Sequence, residues 1–464
     1  MIDILDLIVE RGGNPELACQ SLRKRYADES LVHEVIGLWQ DAYSARYRAQ
    51  QARAQMNQTQ REIGHMHRSG QDPTTLLAKK DKLDEEIKAL EHEATRREDL
   101  RDRRCKLIPN YVHESVPISE NEDMNEVVAS WTPAGVELKK KDCLAHHEVM
   151  TRAGDSADSR KITGAKLVGH RGYFLRKWGV FFNQALINYG LHFLYAKGYD
   201  PIQPPFFMKS EYMAKTAQLD DFEESLYRVV ENNRPDSNSD AKYLIATSEQ
   251  PLSAMYADEW LAESDLPQKL AGYSSCFRKE AGSHGRDAWG LFRVHQFEKI
   301  EQFLFVKPED SWQSLEDMKS VAEEFYQSLG LAYRVVAIVS GALNNAAAKK
   351  YDLEAWFPHQ GEYKELVSCT NCTDYQTREL NIRYRPKETK ADTGVRKAYC
   401  HALNGTLCAT ERTLCCLLEN YQTDQGVVVP DALKPYMPPG TPDLIPYTTD
   451  LPRHMGAKKE KEPR

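Results

Sequence analysis

A heptad run near the N-terminus restricts this chain more than any other feature. Leu31, Val35, Leu38, Ala42, Ala45, Ala49, Ala52, Met56, Thr59, Ile63 and Met66 recur at strict four-three spacing. Such a seam stays on one side of a helix only when a second helix lies along it, so the pattern implies a coiled coil. Its length is about 54 Å at about 1.5 Å per residue. Ser69, Gly70, Gln71, Asp72 and Pro73 then stop one helix and start another. A second seam follows at Leu83, Ile87, Leu90 and Ala94, after which Arg97 and Arg101 take the projected core positions and the pattern fails. The short turn makes the helices antiparallel, a projecting hairpin over 31–105 whose central alanines allow close approach. Arg46, Arg48, Arg53 and Arg61 lie off the seam, as do Lys79, Lys82 and Lys88. By residue type alone these are the ordinary solvating charges of a coiled coil.

The remainder must supply a globular body. At 464 residues the chain exceeds one ordinary domain. Its 41% hydrophobic and 28% charged residues are those of a soluble protein. No apolar run approaches the roughly 20 residues that span a bilayer, so no membrane partner is expected. The opening MIDILDLIVERGG carries acids where a targeting signal wants bases, which makes the cytosol the expected location. Ten cysteines without framework spacing read as reduced thiols. A net charge of -8 means that any nucleic acid is met by local patches rather than by the global field.

Residues 106–164 alternate Pro109, Pro117 and Pro133 with acidic stretches, as a linker does. Residues 164–197 read as one long helix with Leu175, Trp178, Phe182, Ala185, Leu186, Tyr189 and Phe193 on one side. It stops at Gly198 and enters 199–205, so dense in proline that only an edge strand suits it. Residues 231–242 read as an exposed loop. An apolar strand then ends in Thr247, Ser248 and Glu249, where a helix cap at Ser248 is the plain reading.

Residues 272–305 read GYSSCFRKEAGSHGRDAWGLFRVHQFEKIEQFLF, two strand-like segments around a loop carrying Gly282, Gly285 and Gly290. Alternation puts Arg278 and Glu280 on one face of the first strand, and Phe297, Lys299 and Glu301 on one face of the second. From Phe297 to Glu301 is about 13 Å at about 3.3 Å per residue, enough for a nucleotide base at one end and a small attached group at the other. A half-buried strand pair with a solvated salt-bridge face is an equal reading of these residues alone. Residues 306–331 and 341–351 read as helices around a strand at 335–339. A strand carrying Glu365 and Ser368 then leads into Asn371, Cys372, Thr373 and Asp374. Residues 398–408 alternate as a strand, and Thr410–Tyr421 reads as a helix with Arg412 near its start. The segment from Gly456 has the charged composition of a flexible tail.

Arg278 and Glu280 two apart, the variable loop 281–291 and a strand bearing Phe297 resemble motif 2 of the class II aminoacyl-tRNA synthetases. FRKE followed by HQFEKIEQF is similar to the seryl-tRNA synthetase version. The helix, Gly198 and strand ending in Pro205 resemble motif 1, and the strand into the Arg412 helix resembles motif 3. The resemblance implies an α+β fold, with an antiparallel helical hairpin ahead of an antiparallel β-sheet domain flanked by helices. The domains would be 1–110 for tRNA binding, 111–163 as linker, 164–455 as the catalytic domain and 456–464 as tail. The implied reaction is ATP-dependent activation of serine to seryl-adenylate, then transfer to the 3′ end of serine tRNA; charging of selenocysteine tRNA is left open. By the resemblance, Arg278 holds the α-phosphate and serine carboxylate, Arg412 the distal phosphates, and Glu365 and Ser368 a Mg²⁺ ion. Phe297 stacks on adenine and Glu280 hydrogen-bonds it. Thr247, Glu249, Glu301, Asn404 and Thr406 form the serine pocket. Motif 1, at 198–205 with the preceding helix, builds a homodimer, and Arg46, Arg48, Arg53 and Arg61 are candidate tRNA contacts on the arm. Zinc is not expected, because Cys369 and Cys372 are the only CxxC pair where a structural zinc ribbon needs two.

Overall fold

The computed structural model describes residues 1–154, 164–216, 225–230, 241–280, 290–386 and 398–451. Most of the expected loop 231–242, the greater part of the motif 2 loop and the charged tail lie outside the described residues. Two compact units emerge: Met1–Val112 with Asn344–Ala346, and His113–Leu343 with Ala347–Arg464.

The first unit opens with α1 (Pro15–Lys24), whose start is capped by Asn14 through a 3.2 Å bond from the Glu16 N–H. The long helices α2 (Ser30–Arg68) and α3 (Thr74–Cys105) follow. From the seam, Val35, Ala42, Ala45, Ala49, Ala52, Thr59 and Ile63 of α2 are buried, as are Leu83, Ile87 and Ala94 of α3. Val32, off the expected seam, is buried too. Where the seam fails, Arg97 is half-buried and turns aside to Asp41 at 3.2 Å and Glu93 at 2.6 Å. Ion pairs Arg46–Glu98, Arg53–Glu91 and Arg104–Glu34 tie the two helices together.

The second unit is built on eight strands: β1 (Glu126–Trp131), β2 (Asp200–Ile202), β3 (Gln268–Phe277), β4 (Gln296–Val306), β5 (Tyr333–Ala337), β6 (Lys349–Phe357), β7 (Glu362–Asn371) and β8 (His401–Ala409). Their order is β1-β5-β6-β7-β8-β4-β3-β2, antiparallel except for the parallel pair of β2 with β3. The proline-bearing β2 sits at the sheet edge, where the missing donor of Pro201 costs no ladder bond. One face packs on α4 (Trp178–Ala196), α6 (Ser311–Ser328) and α8 (Thr410–Tyr421) through Ile300, Leu304, Phe182, Leu186, Phe325 and Leu414. The other face carries Phe303 and Phe305, packed with Leu252 of α5 (Glu249–Ser253). A side chain at Gly272 of β3 would meet Leu252 Cδ1 at 2.6 Å and Ser248 Oγ at 2.7 Å, so glycine is what lets α5 lie on the sheet.

Four expectations fail. The long helix at 164–197 is broken: Ala165–Val168 is a single turn, and α4 starts only at Trp178. Gly169, Arg171 and Lys177 all have positive φ (84°, 74° and 46°), which ends one helix and delays the next. The helix at 341–351 is a 3-10 turn at Ser340–Ala342 followed by a loop and β6. Its alanines and lysines favour helix locally, but pairing with β5 and β7 prevails. The stretch expected as linker supplies β1 at the other sheet edge and a helix, His146–Ala153, whose Val149 and Met150 are in the core. Finally, the first hairpin strand stops at Phe277, so Arg278 and Glu280 stand beyond it rather than on one strand face.

Candidate active site

The sheet face turned away from the helical layer carries an open cleft lined by Arg278, Glu280, Phe297, Glu365, Thr406 and Arg412. Arg278 enters from the end of β3, where its N–H and carbonyl still bond His295 at 2.9 and 3.0 Å. Its guanidinium lies 5.3 Å from the Phe297 ring centroid on β4. Two residues on, Glu280 adopts φ +49° and faces Arg293 at 3.6 Å. Arg412, third residue of α8, reaches in from the opposite wall. It donates to the Phe292 and Glu365 carbonyls at 3.2 and 3.3 Å, lies over the Phe292 ring, and approaches the Glu365 carboxylate at 3.6 Å. Three guanidiniums and two aromatic faces thus surround one cavity, a setting for a polyanion with a flat ring.

A cluster holding two carboxyls adjoins it. Alternation on β4 brings Glu301, 2% exposed, onto the Phe297 face. Thr247 donates to its Oε2 at 3.1 Å, and Lys299 forms an ion pair with the same oxygen. Thr406 stands directly opposite Glu301 in the register of β8, and Asn404 two residues before it donates to Glu249 at 3.1 Å. Gln376, in α7 (Tyr375–Glu379), donates to the same Glu249 oxygen at 2.8 Å. Burial, then the nearby Glu301 charge, pushes the Glu249 carboxyl above its usual value. Such a pair of carboxyls with hydroxyl and amide neighbours suits a small ligand carrying an ammonium and a hydroxyl.

Ser248 is the residue ahead of α5, as the cap reading requires, but its hydroxyl makes no cap bond. The Glu249 N–H is taken instead by Thr247 Oγ1 at 3.3 Å.

Glu365 and Ser368 are three apart, which simple alternation would send to opposite faces. A β-bulge in β7 changes that: Glu365 faces Glu354 while Ser368 faces Asp352, two neighbours on the same side of β6. Burial opposes the charge of Glu365, yet Arg412, Lys350, Arg278 and Arg293 outweigh it and hold the carboxyl below its usual value.

The structure therefore brings Arg278, Glu280, Phe297, Glu365, Thr406 and Arg412 to one cleft, with Thr247, Glu249, Glu301 and Asn404 beside it. Arg46, Arg48, Arg53 and Arg61 all lie on the arm, exposed. Sequence reasoning missed Arg293, Gln376 and the pairing role of Lys299. Lys299 was legible, two residues before Glu301 on one strand face; Gln376 carried no signal, since only the fold sets α7 against Glu249. Cys372, from the CxxC pair, is buried and takes a 3.4 Å contact from the Asn404 amide.

Two family models match. The seryl-tRNA synthetase N-terminal domain covers residues 1–112, and the class II core domain of synthetases for G, H, P, S and T covers 227–421. The cytoplasmic serine–tRNA ligase of Schizosaccharomyces pombe is 52% identical, across 99% of this chain and all of its own length. Among solved structures, the cytoplasmic serine–tRNA ligase of Naegleria fowleri in complex with AMP is 41% identical with a TM-score of 0.83, covering 97% of this chain and 99% of that one. Seryl-tRNA synthetase of Pyrococcus horikoshii complexed with ATP is 36% identical with a TM-score of 0.81, covering 94% and 98%. With both of its parts matched and its length shared end to end, the chain belongs to the seryl-tRNA synthetase family.

Proposed function

We propose that this chain is a serine–tRNA ligase of the cytoplasmic type, forming seryl-adenylate from serine and ATP and passing the seryl group to the 3′ end of serine tRNA. The observation that carries this is the meeting, on β4 and β8, of an arginine-and-aromatic cleft with the cluster of Thr247, Glu249, Glu301 and Asn404. Phe297 stacks on the adenine and Glu280 hydrogen-bonds it. Arg278, which lines the cleft and donates to the Ala246 carbonyl beside Thr247 at 3.3 Å, holds the α-phosphate and the serine carboxylate, and Arg412 takes the distal phosphates. The ammonium of serine at Glu249 offsets the cost of charging that carboxyl. Thr247, Asn404 and Thr406 close the pocket around Glu301, which accepts from the serine hydroxyl.

Glu365, which lines the cleft, and Ser368 on the same face present hard oxygen donors, a set that suits Mg²⁺. When bound, Mg²⁺ would neutralise phosphate charge. No side chain is needed as nucleophile, because the serine carboxylate attacks phosphorus; the work of these residues is alignment and charge neutralisation.

On the arm, residues 42–61 of α2 contain four arginines and no acid. Arg46 and Arg53 are tied to Glu98 and Glu91, whereas Arg48 and Arg61 have no ion-pair partner among the described residues. This outer face of α2 is our candidate for meeting RNA phosphates. The edge strand β2, with exposed Phe181, Tyr195 and Phe207 nearby in sequence, is our candidate homodimer surface.

The test is ATP–pyrophosphate exchange with serine, threonine and alanine, with and without a zinc chelator. Exchange with serine alone that survives chelation is expected; exchange driven by threonine, or by none from folded protein, discards the reading. Glu301→Ala should lose most of the preference for serine over alanine, because the hydroxyl then has no buried acceptor.

A further inference from the structure

Beside Glu365 and Ser368, the fold contains a carboxylate that the sheet itself does not account for. Asp352 on β6 is 7% exposed and lies directly across from Ser368. Its Oδ2 is 3.2 Å from Lys350 Nζ, but its Oδ1 has no hydrogen-bond partner. A buried acceptor left unmet is destabilising, and more so when charged. A strand interior gains nothing from that, since an apolar residue would pack there without the penalty.

The bulge in β7 explains what surrounds it. Lys350 and Asp352 share a face of β6 by alternation, and the register shift turns both Ser368 and Glu365 onto that face. Two carboxylates and one hydroxyl from adjacent strands therefore share one face, with Lys350 beside Asp352 and Arg412 at 3.6 Å from the Glu365 carboxylate. Hard divalent cations bind through such oxygen donors and keep several waters, which are in turn held by neighbouring acceptors.

We propose that Asp352 is a third member of the divalent-cation site at Glu365 and Ser368, a positioning residue whose open Oδ1 holds a metal-bound water while Lys350 balances its charge. The inference rests on the magnesium reading of Glu365 and Ser368. It adds that the site draws on β6 as well as β7, so that the bulge and the β6 acid form one device.

Mn²⁺ serves as the probe, its free concentration read by electron paramagnetic resonance, with the full chain and a non-hydrolysable ATP analogue. Asp352→Asn keeps the shape of the side chain but turns an amide toward the water, and is expected to weaken Mn²⁺ binding by about 10–100-fold. Glu365→Gln separates the two levels. Wild-type affinity in that variant discards the magnesium reading itself; weakened binding in Glu365→Gln with wild-type affinity in Asp352→Asn overturns the role of Asp352 alone. Should Asp352→Asn not fold, the unsubstituted protein enriched with carboxyl-¹³C aspartate gives the answer by Mn²⁺ electron–nuclear double resonance. An aspartate ¹³C coupling is expected, and its absence overturns the proposal.

Discussion

In the α2–α3 hairpin, residues meet because a seven-residue repeat places them at matching heights, and each buried position is a small or aliphatic side chain. In the cleft, Arg278 and Phe297 of the β3–β4 hairpin meet Glu365 of β7 and Arg412 of α8, which lie much further along the chain. The arm spends its charges on exposed ion pairs such as Arg46–Glu98, each contributing about 0.2–1 kcal/mol. The cleft pairs its charges loosely, Glu280 with Arg293 and Glu365 with Arg412 each at 3.6 Å, which leaves them available to a ligand. The arm therefore tolerates substitution that the second unit does not, and the two should separate in both stability and function.

The largest expected difference is in packing. Phe325→Ala removes a fully buried ring that stacks on Tyr189 and meets Phe193 edge-on, and should cost about 3–5 kcal/mol. Ile63→Ala, in a seam only two helices thick, should cost about 2 kcal/mol. Denaturant unfolding followed by circular dichroism compares them, and equal losses would break the contrast.

Next comes chemistry. Arg278→Ala should slow serine-dependent pyrophosphate exchange by about 10²–10³-fold with little change in melting. Arg48→Glu combined with Arg61→Glu should leave that exchange intact, raise the KM for tRNA by about tenfold, and reduce its salt dependence by about one unit of slope per lost phosphate contact. Arg46→Ala should do less than Arg48→Ala, since Glu98 already holds the Arg46 guanidinium.

The smallest effect is electrostatic and confined to the second unit. Glu411, buried at the start of α8, accepts from Tyr173 at 2.9 Å and from the Glu298 N–H at 3.0 Å. Burial, then the Glu298 carboxyl, raises its pKa well above 4.5. A raised folded-state pKa means that its stabilising contribution is complete below 4.5 and is lost as pH rises through the folded value. Glu411→Gln cannot ionise and escapes that loss, so its melting temperature relative to the unsubstituted protein should climb with pH above 4.5. A pH-independent difference would show that the pair does not hold a proton.

The sequence by itself determined the arm, because a heptad repeat is a local code: spacing alone says which side chains are buried and that a partner helix must cover them. It also determined that Phe297 and Glu301 share a face, which follows from strand alternation. The remaining features arose from contacts between distant segments. The alanine-rich stretch before β6 became a loop and strand because its neighbours were β5 and β7. Glu365 and Ser368 came to one face through a bulge that shows up in register and not in composition. Gln376 reached Glu249, and Asp352 was left with an unmet oxygen, through contacts between segments distant in the chain. Such contacts depend on which strands pair and in what register, and no window of sequence contains that information.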